Sequence, residues 1–494
     1  MARRGQPAGD DAQRQASVPV GPSDHDGQGN RHRLHQAGRC PRHPIPVACP
    51  RLALEVLKTQ DANFASRPLT MASKTFSRGY LDAVMSPYGD QWKKMRRVLA
   101  SEIICPSRHK WLHGKRADEA DNLTRYVYNL ANTKAGSGGD GVVHVRHVAR
   151  HYCGNVVRRL VFGTRYFGKP QPDSGPGPLE VQHVDAVFAS VGLVYSFCIS
   201  DYLPWLLGLD IDGHEKMVKE ANERVTSLHD AIIDERWRRH WKSSGGGKRP
   251  EPEDLLDVLI MLNDGEAKPM LSIEEVKAQV MDITMASMDN PSNAVEWALA
   301  EMVNNPEMLK KAVDEIDGVV GRERLVQESD IPRLNYVKAG IREVFRLHPV
   351  APFNLPHVTL ADTTVAGYHV PKGSHVVISR TGLGRSPHVW DDPLLFNPER
   401  HIAAANPEAE VSLVEHDLRF ISFSTGRRGC VAAVLGTAMS VTLLGRLLQG
   451  FSWSKTAGVA VIDLSESRHN TSMARPLVLR AEPRLPAHLY QGIS

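Results

Sequence analysis

The sequence predicts a mainly α-helical (α+β) chain, one large unit of long helices with a small β region. Three features carry that prediction. Apolar residues recur at helical spacing over long stretches in the middle of the chain, above all at 273–304. After Pro349 the pattern switches to short alternating segments separated by turn residues. Nothing between these regions has the composition of a domain linker. With 41% hydrophobic and 23% charged residues, the 494-residue chain can bury a sizeable core. A net charge of +4 is close to neutral at this length, so nothing points to nucleic acid as a partner.

Taken in order, residues 1–43 are rich in Gly, Pro, Arg, His and Gln without apolar periodicity, which reads as a low-complexity, disordered tail. His32, His35, Cys40 and His43 have metal-like spacing, but nothing around them would form a scaffold, and a plain basic tail is the better reading. Residues 44–494 have globular texture. Gly/Pro/Ser-rich patches at 133–141, 171–178 and 242–253 read as surface loops. Helical spacing marks 254–263, 273–304, 301–320 and 337–347. "HVTLADTTVAGYHVPKGSHVVIS" reads as short strands, 431–448 as a helix, and "VAVIDL" and "PLVLRAEP" as a closing β section. No window approaches the roughly 18 uninterrupted apolar residues of a membrane span, and the N-terminus lacks the apolar core of a signal peptide. Cys40, Cys49, Cys105, Cys153, Cys198 and Cys430 are scattered without a CxxC pair, which reads as reduced thiols.

Function is read outward from Cys430, in "FSTGRRGCVAA". It stands at the start of the 431–448 helix, whose dipole and free N–H groups favour thiolate over thiol. Gly426 and Gly429 allow a sharp turn and the close approach of a flat ligand. Arg427 and Arg428 add positive charge, and the planar fork of Arg428 suits a carboxylate. A thiolate beside carboxylate-binding arginines suits an iron porphyrin, with its axial position and two propionates. "FSTGRRGC" resembles the haem-binding pattern F-x-x-G-x-R-x-C of the cytochromes P-450, with Ala432 where Gly is usual. The resemblance implies one cytochrome P-450 fold over 44–494. It also implies haem b (iron protoporphyrin IX) with Cys430 as its axial thiolate and metal ligand, and Phe423, Gly426 and Arg428 in the haem-binding loop.

Other stretches resemble the same family. "IREVFRLHP" places Glu343 and Arg346 three residues apart on one helix face, and "FNPERH" supplies Arg400. In the family these interlock as a mostly buried charge cluster, which persists only if each charge has a partner. "SPYGDQWKKMRRV" puts Trp92 and Arg96 at i, i+4, like the family's W-x-x-x-R helix, whose side chains donate to a propionate. His357 stands where many plant members have a propionate-binding Arg.

The 273–304 helix should cross the open face of the haem. Most of the family has A-G-x-D-T there, an acid–alcohol pair that relays protons to oxygen. Here Asp289 is kept, the alcohol is replaced by Asn290, and Pro291 frees a carbonyl near Ser287 and should bend the helix. "DNPSNAVEWALAEM", "RLHPVAPFNLPH", "SRTGLGRSPHVW" and "FSTGRRGCVAA" together resemble the plant amino-acid N-monooxygenases, family 79 of the cytochromes P-450, from about Ile45 to the C-terminus. This resemblance implies that an L-amino acid, Phe or Tyr on this reading, is N-hydroxylated twice. Dehydration and decarboxylation then yield an aldoxime for cyanogenic glucoside, glucosinolate or defence-volatile pathways. It also implies O2, electrons from NADPH through an NADPH-cytochrome reductase, later enzymes of an oxime pathway, and the cytosolic face of the endoplasmic reticulum membrane.

Substrate choice should lie in the 71–80 loop, in 350–354 and in "SESRHNTSM". Lys74, Arg78 and Arg468 are candidate partners for a carboxylate, and Phe353 and Phe76 for an aromatic side chain. The family's membrane anchor, Pro-rich hinge, first strand and first helix are not recognisable before Ile45. That reads as a mispredicted start or truncated gene copy, cytosolic or peripheral as written, whose first sheet neighbour would keep an unpaired edge. Three competing readings stay open at this stage: a plant C-hydroxylase, a haem-thiolate isomerase or dehydratase, and an inactive remnant.

Overall fold

The computed structural model describes residues 44–132, 141–242, 251–265, 268–406, 408–467 and 472–491. The 1–43 tail with its His and Cys residues, most of the loops expected at 133–141 and 242–253, and Arg468 lie outside the described residues.

One helix organises the rest. Ile273–Asn304 begins where the Ser272 hydroxyl accepts from the Glu275 amide at 3.2 Å while the Glu275 carboxylate accepts from the Ser272 amide at 2.8 Å. It is apolar on most of its circumference, and such a helix must be covered on all sides. Val145–Phe162 packs along it most extensively, with Ala433–Gly450, Pro178–Leu193, His214–Lys242 and Asn335–Leu347 closing the remaining faces. Polar clamps fix the register. Arg146 grips Glu296 at 2.8 and 3.0 Å. His348 stacks on Trp297 at 3.9 Å between ring centres and meets Glu301 at 2.7 Å. Pro291 lacks an N–H, yet the helix runs on through it, with the Ser292 hydroxyl donating back to Met288 O at 2.9 Å.

The β region is small, as expected. Pro44–Val47 pairs in parallel with His375–Ile378, which also pairs antiparallel with His357–Val358. Pro44–Val47 therefore lies at a sheet edge, where two prolines that cannot donate to a ladder are tolerated. The C-terminal sheet is Val142–His144, Val478–Pro483 and Phe451–Lys455. "VAVIDL" is not a strand. Its valines are exposed, and the Asn304 side chain binds both the N–H and the carbonyl of Ile462 in place of a ladder partner. None of the helices among the described residues is long and apolar enough to cross a membrane. The five described cysteines are free thiols.

Glu343 is fully buried at the centre of a polar knot. Arg346 donates to it at 2.8 and 2.7 Å, Arg400 at 3.0 Å, His401 at 2.8 Å and the Asn397 amide at 2.9 Å. Arg346 spends its other N–H groups on the carbonyls of Gly384, Pro393 and Leu395. A Cβ on Gly384 would lie 1.9 Å from Arg346 O, so only glycine lets these segments meet. His401, adjacent to the expected Arg400, was not singled out from sequence. Burial alone would raise the Glu343 carboxyl, but its hydrogen bonds from Arg346 and His401 hold it down at about 2, against an ordinary 4.5. A depressed carboxylate contributes stability that is complete above about 4.5 and is lost as pH falls towards 2. Glu343→Gln should therefore cost about 3–5 kcal/mol at neutral pH and flatten the acid limb of a thermal-denaturation pH series between those two values. An unchanged acid limb would contradict the knot.

Candidate active site

A cavity of about 340 Å³ lies between the central helix, the Asp90–Val98 helix, the 349–355 segment and the loop that carries Cys430. The loop is held by its own backbone, with the Cys430 amide on Phe423 O at 2.8 Å and the Gly429 amide on Gly426 O at 3.0 Å. Gly426 has φ +70°, and a Cβ there would lie 2.2 Å from Leu57 O. Phe423 meets Phe345 edge-on at 5.8 Å and borders the cavity. The helix starts at Ala433, so Cys430 precedes it, and the nearest donor is the Ala432 amide, 3.3 Å from the sulfur. The expected preference for thiolate does not hold in the protein alone. Burial pushes the Cys430 thiol up, and the Ala432 amide, Arg96 and Arg380 only oppose that. A metal cation on the sulfur would reverse the balance.

Four arginines, Arg67, Arg96, Arg380 and Arg428, border the same cavity. Arg96 donates to Gly429 O at 2.7 Å. Arg428 donates to Ala65 O and Ser86 O at 2.6 Å each, and lies 4.7 Å over the Trp92 ring. Arg67 reaches the carbonyls of Leu355 and Pro356, both at 2.8 Å. Arg427, by contrast, pairs with Asp61 outside the cavity. Burial lowers all four cavity-facing guanidinium groups, Arg428 to about 9 and Arg380 to about 10. No ion pair to a carboxylate is made by any of the four among the described residues. Asp82 pulls on Arg67 and Arg428 from nearby but makes no ion pair with either, and buried cations without a directly paired counter-charge call for an anion. A thiol, an apolar slot and this surplus of positive charge fit a haem, whose propionates Arg96, Arg428 and Trp92 would face and whose iron Cys430 would bind.

Not every expected residue is here. His357 is off the cavity wall, with Nδ1 on Phe64 O at 2.7 Å, and burial lowers it to about 3, so it is a neutral packing residue and not a propionate cation. Arg78 pairs with Asp230 at 2.5 Å and Glu274 at 2.9 Å, and Lys74 points to solvent. Phe76 is buried in the core. None of these four borders the cavity; Lys74 and Phe76 belong to the helix Met71–Phe76, which packs on His214–Lys242. Phe353 does border it. Sequence reading missed Arg67, and also Arg380, although the latter stands in the quoted "SRTGLGRSPHVW"; it also missed Gln279 and Asp282 on the central helix.

Asp289, Asn290 and Pro291 line the cavity opposite the sulfur-bearing loop. Asn290 Nδ2 donates to Ala286 O at 3.2 Å, which leaves Oδ1 as an acceptor. Burial raises the Asp289 carboxyl to about 6, against the pull of Arg150 on the neighbouring helix. It can thus take up and release a proton near neutrality.

A family model described as Cytochrome P450 matches residues 41–478. The tyrosine N-monooxygenase of Sorghum bicolor is 73% identical over 452 residues, covering 92% of this chain and 80% of that protein. Tryptophan N-monooxygenase 1 of Arabidopsis thaliana is 56% identical, covering 91% and 81%. Valine N-monooxygenase 1 of Manihot esculenta is 55% identical, covering 90% and 80%. A solved zebrafish cytochrome P450 with progesterone superposes with a TM-score of 0.67 at 25% identity, over 90% of this chain and 93% of that one. The chain therefore belongs to the cytochrome P450 family, in its branch of plant amino-acid N-monooxygenases.

Proposed function

We propose that this monooxygenase converts an aromatic L-amino acid, tyrosine before phenylalanine, to its aldoxime. The observation that carries this reading is that Asp289, Asn290 and Cys430 border one cavity, in a chain 73% identical to a tyrosine N-monooxygenase. Two N-hydroxylations, each consuming one O2 and one NADPH, are followed by loss of water and CO2. Haem b, when bound through Cys430, supplies the oxygen activation, with electrons arriving from NADPH through a reductase partner.

The chain's own residues bind, orient and move protons. Cys430, whose sulfur accepts from the Ala432 amide, would hold the metal, and Arg96, Arg428 and Trp92 would face the propionates. Asp289, near half-protonation at pH 6, passes protons into the cavity. Asn290 Oδ1 holds the substrate amine or a water where an alcohol would otherwise stand. Gln279 donates to Asp282 at 3.1 Å, but its own Oε1 is buried and has no partner among the described residues, an acceptor that a phenol O–H would satisfy. The endoplasmic reticulum membrane and later oxime-consuming enzymes belong to the same reading, through the relatives.

Reconstitution with NADPH-cytochrome reductase, one amino acid at a time, should give a mass-detected oxime most rapidly from tyrosine. Cys430→Ser should abolish both the oxime and the thiolate-type carbon monoxide difference band. Asn290→Thr should lower the oxime formed per NADPH; equal or better coupling would remove the role given to the amide. Gln279→Leu should reduce the tyrosine-over-phenylalanine ratio of kcat/KM about tenfold, the worth of one buried hydrogen bond. A preserved ratio would place phenol recognition elsewhere.

A further inference from the structure

We infer that Arg380 is a carboxylate-binding residue of the cavity, distinct from the arginines of the Cys430 loop and of the Trp92 helix. Its backbone is fixed. The Arg380 amide donates to Pro352 O at 2.9 Å, and a bridge between Phe353 and Ser379 lays the 353–354 segment beside it. Its side chain is only partly engaged. Nη2 donates to Asn354 Oδ1 at 3.2 Å, while Nε is buried and has no hydrogen-bond partner among the described residues. Arg67, Arg96 and Arg428 differ, because each makes short bonds to backbone carbonyls. The guanidinium of Arg380 thus combines a full charge, an unused edge and a position on the cavity wall next to Phe353 and Asn354. Burial lowers its pKa to about 10, and among the described residues no carboxylate pairs with it.

A carboxylate matches that edge, since two parallel N–H bonds to one anion satisfy the Arg fork and neutralise it. Two carboxylates can enter: a haem propionate and the α-carboxylate of an amino acid. The second source rests on the function proposed above. The relatives are named for tyrosine, tryptophan and valine, which share the α-amino and α-carboxylate groups and little else. An anchor for the α-carboxylate would place the neighbouring amine without reading the side chain.

The test uses the purified, haem-loaded chain and its Arg380→Leu and Arg380→Lys variants. Haem content and the rate of haem loss form one arm. Optical titrations with L-tyrosine and with tyramine, which keeps the amine and phenol but lacks the carboxylate, form the other. Binding of the substrate carboxylate predicts that Arg380→Leu raises the tyrosine Kd about tenfold or more, the worth of a charge-assisted bond. In that case tyramine affinity and haem retention stay unchanged, and Arg380→Lys recovers part of the loss. Binding of a propionate predicts faster haem loss in Arg380→Leu and equal shifts for both titrants. Full haem retention together with unchanged tyrosine affinity would overturn the inference. If the wild type holds haem but no amino acid perturbs its spectrum, the proposed function fails while the haem arm still decides Arg380. Arg380→Gln, which is shorter and uncharged but keeps a polar N–H donor, replaces the Leu variant if that one does not fold.

Discussion

Everything about the sulfur's position depends on how the protein handles charge away from water. Glu343 is the clearest case. One carboxylate receives Arg346, Arg400, His401 and a backbone amide, and Arg346 then ties three carbonyls of the 384–395 segment into the same knot. Desolvating such a group is expensive, and only complete pairing makes it tolerable. The helix that carries Glu343 also brings Phe345 against Phe423, so the knot and the Cys430 loop share one support.

The cavity works on the opposite principle. Around Glu343 every charge is answered by direct contact, whereas none of the four guanidinium groups that border the Cys430 cavity makes an ion pair to a carboxylate among the described residues. The N–H groups of Arg67, Arg96 and Arg428 lean on backbone carbonyls, which satisfy hydrogen bonding but not net charge. A site that is electrostatically incomplete in this way is preorganised for anions, and it selects ligands by charge before it selects them by shape. Asp289 shows the converse: enclosed, opposed only by Arg150, and so close to its titration point.

Much of this was legible in the sequence where local chemistry sufficed. The bounds of the central helix followed from its apolar spacing, and Glu343, Arg346 and Arg400 followed from the motif order. What was not legible depended on partners distant in the chain. Nothing near Arg78 reveals Asp230 and Glu274, so a paired surface-side arginine looked free to meet substrate. Arg380 sat unnoticed in a stretch quoted only for its likeness to relatives, because burial and an unused N–H are properties of the fold alone. "VAVIDL" alternated like a strand, but no neighbouring backbone was there to receive it; Asn304 was.

One contact has a bearing on how the protein is made. Gly426 rests on the carbonyl of Leu57, and Arg427 grips Asp61, so the two ends of the folded chain close on each other at the metal-binding loop. Joining segments so far apart in sequence is slow, because the long intervening chain must be ordered first. The ribosome will have released almost the whole polypeptide before this clasp can shut. Closure of the loop that carries Cys430 is therefore a late step of folding, after the segments on both sides of it have been made.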